Sequence, residues 1–270
     1  MSDVQVHRQH DALIATAGGP AQRWAQRFSR DHSFTAAIVM FVTSYAVVGA
    51  FTVGVRLLLV HVLVHGVVGV DERFIIHRFV RHRTNAWDSV STKVTYLGDT
   101  ITVISIALVV TLVFAIRKWG RQSSLLVVGL VLEVAIFMTA NNIAHRHRPF
   151  VLHIGGTPKT FSFPSGHSAA SVVLYGGLAV LVCAATSNRG ARIAAWFVAA
   201  VVAVAVGLSR IYEGEHYPTD VLSGWLMGAA VLALAVFIIR VASEPRRLSS
   251  TSVKQPFSSN HQSELERPAS

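Results

Sequence analysis

Charge is what this chain of 270 residues has least of: 14% of its residues are charged against 52% hydrophobic. A chain so poor in charge cannot dress a soluble fold in polar surface. Cysteine is nearly absent, and the single Cys183 excludes a disulfide scaffold. No collagen-like repeat is present, and the apolar excess excludes disorder along the whole length. Acidic residues are also scarce, 14 against 24 basic ones, which leaves a net +10 with 13 histidines besides. Cys, Asp and Glu do not gather at metal-ligand spacing, and no glycine-rich nucleotide loop is present, so neither a metal nor another cofactor is expected. The basic residues lie scattered between apolar runs instead of on one polar domain, which argues against a nucleic-acid partner. What remains is an integral membrane protein whose partner is the lipid bilayer.

A helix needs about 20 largely apolar residues to cross a hydrocarbon core roughly 30 Å thick. Six such runs occur, at 34–55, 99–117, 123–143, 168–186, 192–208 and 220–241. They predict an all-α fold, a membrane bundle of about six transmembrane helices over 34–241. The apolar stretch 57–70 is too short for a span of its own, and reads as the outward end of the first, with Arg56 snorkelling at the interface. Residues 1–33 form a polar N-terminal segment without a cleavable signal, and the Ser- and Pro-rich 242–270 a disordered tail. Six spans leave both termini on one side. The termini and the tight loops 118–122 and 187–191 carry the larger share of Arg and Lys, so the positive-inside bias sets both termini in the cytoplasm of a multi-pass cell-membrane protein.

The loops of the opposite, extracytoplasmic side are richer in chemistry. One reads Asn141-Asn-Ile-Ala-His-Arg-His-Arg-Pro149 and then Phe161-Ser-Phe-Pro-Ser-Gly-His-Ser168; the other reads Ser209-Arg-Ile-Tyr-Glu-Gly-Glu-His-Tyr-Pro-Thr-Asp220. Two complete spans separate His167 from His216, so both face one compartment, together with Arg148 and Arg210. Arginine forks match phosphate oxygens bidentately, and Ser165-Gly166 stands before a helix start, where free N–H groups attract an anion. Asp220 follows His216 by four positions and can fix its tautomer, which leaves Nε2 as a nucleophile. His167 is then the natural general acid for the departing oxygen.

These stretches, Arg148-Pro149, Pro164-Ser165-Gly166-His167 and Ser209-Arg210-x5-His216-x3-Asp220, resemble the signature of the type 2 phosphatidic-acid phosphatase superfamily, to which the vanadium haloperoxidases are related. The resemblance covers about 99–241. It implies a metal-independent phosphatase acting on a lipid phosphate or diphosphate: phosphatidic acid, phosphatidylglycerophosphate or a polyprenyl phosphate or diphosphate. By resemblance His216 forms a phosphohistidine, Asp220 orients it, His167 protonates the leaving group, and Arg148, Ser165, Gly166 and Arg210 hold phosphate. In the family a Lys stands seven residues before the arginine equivalent to Arg148, and here that position is Asn141. A neutral amide can still donate to phosphate, and Arg146, His145 or His147 can supply the missing cation. Two alternatives stay open: transfer of the phosphoryl group to an alcohol, and a catalytically weak lipid-phosphate binder.

Other residues carry plainer expectations. Glu213 and Glu215 are expected in solvent. Glu133, inside the third span, is expected to make an interhelical hydrogen bond. Tyr212, Tyr217 and Trp225 read as interfacial anchors or packing, and 71–98 as an amphipathic segment against the head groups.

Overall fold

The computed structural model describes residues 33–58, 67–155 and 160–252, and every regular element among them is helical. These are α1 (Ser33–Leu58), α2 (Val67–Arg81), α3 (Asn85–Thr95), α4 (Thr100–Ile116), α5 (Gly120–Ala144), α6 (Gly166–Ala185), α7 (Arg189–Tyr212) and α8 (Pro218–Ser252), with a 3₁₀ turn, Tyr96–Gly98, joining α3 to α4. Five helices, α1, α5, α6, α7 and α8, are long and apolar enough to cross a membrane alone. A sixth span is completed only if α3 and α4 cross together as one bent pair. At 17 residues, α4 reaches only about 25 Å, and α3 with its turn continues it after a 45° bend. Asp99 makes the break, accepting the Ile101 N–H at 3.1 Å as the cap of α4.

The predicted spans at 123–143, 168–186 and 192–208 lie within or across α5, α6 and α7. The last helix, however, runs on to Ser252, past the point where the sequence reads as tail. The polar segment 1–32, most of the projecting stretch 57–70, and residues 253–270 lie outside the described residues.

The core lies where α6 is wrapped by α5, α7 and α8, with α1 outside α8 and α5. Leu132 and Ile136 of α5, Ala169 and Val173 of α6, and Met227 and Val231 of α8 pack there with Val48 of α1. In contrast, Ile101, Ile104, Leu108 and Ile116 of α4 are exposed, the lipid-facing side of a helix whose surroundings are apolar. Two glycines one turn apart on α8 bring it unusually close to α6. A Cβ on Gly224 would run into the Ser165 carbonyl oxygen, and one on Gly228 would lie 2.7 Å from that of Ala169. This small-x-x-x-small approach presses the start of α8 onto the start of α6. Hence the ends of α5 and α7 and the beginnings of α6 and α8 converge at one end of the bundle, where both sequence-predicted loops meet.

Candidate functional site

His216 sits in the loop between α7 and α8 and is 2% exposed. Its Nδ1 lies 2.7 Å from the Ser162 carbonyl oxygen. A carbonyl only accepts, so Nδ1 must carry the proton and Nε2 keeps its lone pair. Burial, reinforced by the Arg148 and Arg210 guanidiniums, holds the imidazole well below the usual histidine value, in its neutral form. Asp220 therefore does not orient His216 as the sequence suggested: its Oδ2 is 3.9 Å from Nδ1, outside hydrogen-bonding range. It acts one bond further out. The Ser162 hydroxyl donates to Asp220 Oδ2, and the Tyr217 N–H donates to the same oxygen at 2.9 Å. Asp220 thus anchors the serine whose carbonyl sets the histidine tautomer.

Arg148 lies beside His216, with Nη1 3.4 Å from its Nε2. The rest of its fork is braced by the Thr160 carbonyl at 3.1 Å, the Thr160 hydroxyl at 3.0 Å, and Glu215, through its carbonyl at 2.8 Å and carboxylate at 2.9 Å. Arg210, in the last turn of α7, donates to Glu213 at 2.5 Å, while its Nη2 is 3.8 Å from the Glu215 carboxylate. Glu213 also accepts from Ser91 at 3.0 Å and Thr95 at 2.8 Å, which ties α3 to the site. The expectation that Glu213 and Glu215 stay in solvent is overturned: they are 3% and 1% exposed, because each lies against a site arginine. Burial raises the Glu215 carboxyl above the usual glutamate range, against the pull of Arg210 and Arg148.

At the start of α6, Ser165 is the N-cap, and its own N–H donates to the Asp220 carbonyl at 3.0 Å. Its hydroxyl pairs with Ser168 at 2.8 Å and makes no capping bond. Gly166 begins the helix with the Phe137 ring so close that a Cβ would meet it at 3.0 Å. The first-turn N–H groups of α6 form the partial positive end that favours an anion. His167 follows, with Nε2 3.9 Å from Asp99 Oδ1, beyond hydrogen-bonding distance.

Arg146 and Asn141 do other work than the phosphate binding expected of them. Arg146, 7% exposed, donates to Asp220 at 2.5 Å, Thr219 at 2.8 Å and Glu72 at 2.8 Å, and its guanidinium covers the Tyr217 ring at 4.1 Å. Two carboxylates already neutralise it. Asn141 donates to the Phe161 carbonyl at 2.8 Å and the Phe163 carbonyl at 3.0 Å, and its oxygen accepts the Phe161 N–H at 3.1 Å. It clips the loop that carries Ser162. A lysine here cannot accept the Phe161 N–H, and a buried N–H left without a partner costs about 1–3 kcal/mol. Asn141→Lys is accordingly expected to lower the thermal midpoint and to reduce phosphate-directed activity about tenfold. A gain in activity at unchanged stability would show that the side chain reaches the phosphate instead.

Sequence reasoning missed Ser162, Glu72, Asp99 and His153. Ser162 stood within the quoted loop, but its role lies in a backbone carbonyl, which has no residue signature. Glu72 comes from α2, where its Oε1 accepts the Thr219 N–H at 2.9 Å at the start of α8. A lone acid in an amphipathic stretch gives no hint of that partner. His145 and His147 are exposed and flank the Phe161 ring, with centroids at 4.7 and 6.5 Å. Tyr212 donates to Asp88 at 2.6 Å and Trp225 to the Ala203 carbonyl at 3.1 Å, both as packing groups. Glu133 is buried in α5 at 3% exposure, and no described residue supplies the interhelical hydrogen bond expected of it.

Residues 122–243 match the model of the PAP2 superfamily. Over 135 residues the chain is 31% identical to an undecaprenyl-diphosphatase of Sulfolobus acidocaldarius, a match covering 48% of this chain and 61% of that one. It is 29% identical over 152 residues to phosphatidylglycerophosphatase B of Bacillus subtilis, covering 54% and 72%. The match thus spans about three-fifths of the Sulfolobus protein's length. The crystal structure of a transmembrane PAP2-type phosphatidylglycerolphosphate phosphatase from Bacillus subtilis superimposes with a TM-score of 0.60 at 22% identity, over 82% of this chain and 98% of that one. That likeness is one of fold.

Proposed function

We propose, from the membership of residues 122–243 in the PAP2 superfamily, that this multi-pass membrane protein is a metal-independent phosphatase that cleaves a lipid phosphate or diphosphate through a phosphohistidine on His216. The observation that carries the reading is the Ser162 carbonyl 2.7 Å from Nδ1 of a buried, neutral His216, which leaves Nε2 unprotonated and facing the Arg148 guanidinium. In the first step Nε2 attacks phosphorus. The P–N bond forms as the P–O bond to the lipid breaks, and the leaving oxygen takes a proton from His167. Water then attacks the phosphohistidine, gives a proton to His167 and displaces Nε2, and inorganic phosphate departs. Arg148, Arg210 and the N–H groups at the start of α6 stabilise the charge on the transferring group. The site opens on the extracytoplasmic face, with the termini in the cytoplasm. Exposed Phe150 and Leu152, beside Arg148 in sequence, offer apolar contact to acyl or prenyl chains.

Two readings from the sequence lose weight here. The weak-binder reading rested on Asn141 as a damaged phosphate ligand, and its amide is fully engaged in holding the 161–163 loop. No observation favours an alcohol acceptor over water. Full-length protein in detergent with EDTA should release inorganic phosphate from phosphatidic acid, phosphatidylglycerophosphate or a polyprenyl diphosphate. Rapid quenching should trap an acid-labile, alkali-stable phosphoryl group on His216. Release that needs a divalent cation, or turnover with no trapped phosphohistidine, would refute the mechanism.

A further inference from the structure

Glu215 is a buried acid for which the phosphatase steps have no use. Its Oε2 lies 2.9 Å from Arg148 Nη1 and 3.8 Å from Arg210 Nη2, so one carboxylate oxygen faces both arginines assigned to phosphate. Arg148 Nη1 is in turn 3.4 Å from the nucleophilic Nε2. Two further buried nitrogens, on Arg210 and on the neighbouring His153, have no hydrogen-bond partner: the Arg210 Nε–H donor and His153 Nδ1, the latter 3.5 Å from Glu215 Oε1. The pocket is built for more acceptor oxygens than one carboxylate provides.

We propose that Glu215 is the resident anion of this site and gates phosphate entry by protonation. As a carboxylate it bridges Arg148 and Arg210 in the place of a phosphoryl oxygen. As a neutral acid it releases them and donates a hydrogen bond to the incoming anion. The proposal deepens the phosphatase reading and rests on it.

Every charged group facing Glu215 fits this role. From the α5–α6 loop come Arg148 and His153. From the end of α7 come Arg210 and Glu213, and Glu213 is already engaged by Arg210, Ser91 and Thr95. His216 is neutral, and Asp220 of α8 is held by Arg146 and Ser162. Arg83, near Gly214, is spent on the Tyr212 and Leu152 carbonyls. A phosphate dianion arriving beside a charged Glu215 meets like charge in a buried space, and burial already raises the Glu215 carboxyl. The neutral form lies on the acid side of that raised value. Anion affinity is therefore full below it and falls as pH rises through it.

The test uses sulfate, a tetrahedral dianion that does not titrate in the range, bound calorimetrically to full-length protein in detergent between about pH 5 and pH 9. In the parent, affinity should fall about tenfold per pH unit above the midpoint, the slope of one linked proton. Glu215→Gln should bind sulfate with no such slope, at or above the parent's acid-side affinity. Glu215→Met, which removes the charge but cannot donate, should also lose the slope and bind about tenfold more weakly than the glutamine variant. Either variant suffices should the other fail to fold. A parent-like slope in a folded variant overturns the gate, and if lipid phosphate is still hydrolysed, the phosphatase reading stands. A lost slope in a protein that hydrolyses no lipid phosphate leaves the gate and removes the enzyme.

Discussion

Replacing His216 by alanine is expected to reduce phosphate release to background, a loss of about four orders of magnitude or more, as removal of a covalent nucleophile does elsewhere. The neighbouring arginines and Ser165 cannot substitute. Arg148 and Arg210 carry no lone pair, and the Ser165 hydroxyl is paired with Ser168 deep in the helix start. Because His216 is 2% exposed and hydrogen-bonded to Ser162, alanine also opens a small cavity, so loss of activity alone would not separate chemistry from folding. His216→Asn makes that separation. Its amide can reproduce the Nδ1–H bond to the Ser162 carbonyl while offering no nucleophile, so it should recover the thermal midpoint and stay inactive. Sustained multiple turnover in either variant would end the phosphohistidine mechanism. The same variants should leave no trapped phosphoryl group after rapid quenching.

That Arg148, His167, Arg210 and His216 could be placed together before any fold was known follows from topology. Arg148 and His167 belong to one loop and the helix start after it, Arg210 and His216 to the helix end and loop two spans later, and an even number of crossings returns the chain to one face. Apolar runs of sufficient length announce their crossings in composition alone. Where that logic failed, the missing information was three-dimensional and local. The span read at 99–117 covers α4 alone, because α3, which meets α4 at 45°, is polar and reads as an amphipathic segment. Glu213 and Glu215 looked like loop acids because sequence shows their exposed neighbourhood and not the arginines folded onto them. Asp220 has the right spacing to reach His216, but the Ser162 hydroxyl takes its oxygen, and a backbone carbonyl does the orienting. Asn141 and Arg146 were judged by the chemistry they could offer a phosphate. The same donors satisfy buried carbonyls and carboxylates first, since a buried polar group without a partner is the costlier state.

Arg146 is where these two readings diverge most, and Arg146→Met is expected to be the most damaging change to stability near the site. The guanidinium lies between Glu72 of α2 and Asp220 of α8, 2.8 and 2.5 Å from their oxygens. Glu72 also accepts the Thr219 N–H, so the three charges join the amphipathic α2 to the first turn of α8. Removing the cation takes from two buried carboxylates the counter-ion they share, and breaking such a pair costs about 3–5 kcal/mol. Methionine fills similar volume, so the loss reports charge more than packing. Arg146→Lys should recover little, because one ammonium cannot span both acids in fork geometry. The site would then suffer at one remove: Asp220 loosens, Ser162 with it, and the His216 tautomer becomes less fixed. The expected kinetic signature is a fall in kcat with KM nearly unchanged, alongside a much lowered thermal midpoint. Glu72→Gln made in the Arg146→Met background should restore part of that stability, the coupling expected of charges in direct contact. Arg148→Met should behave oppositely, raising KM and weakening sulfate binding. A stable Arg146→Met protein whose KM rises as in Arg148→Met would return Arg146 to the phosphate, and with it the role expected of Arg146 from the sequence.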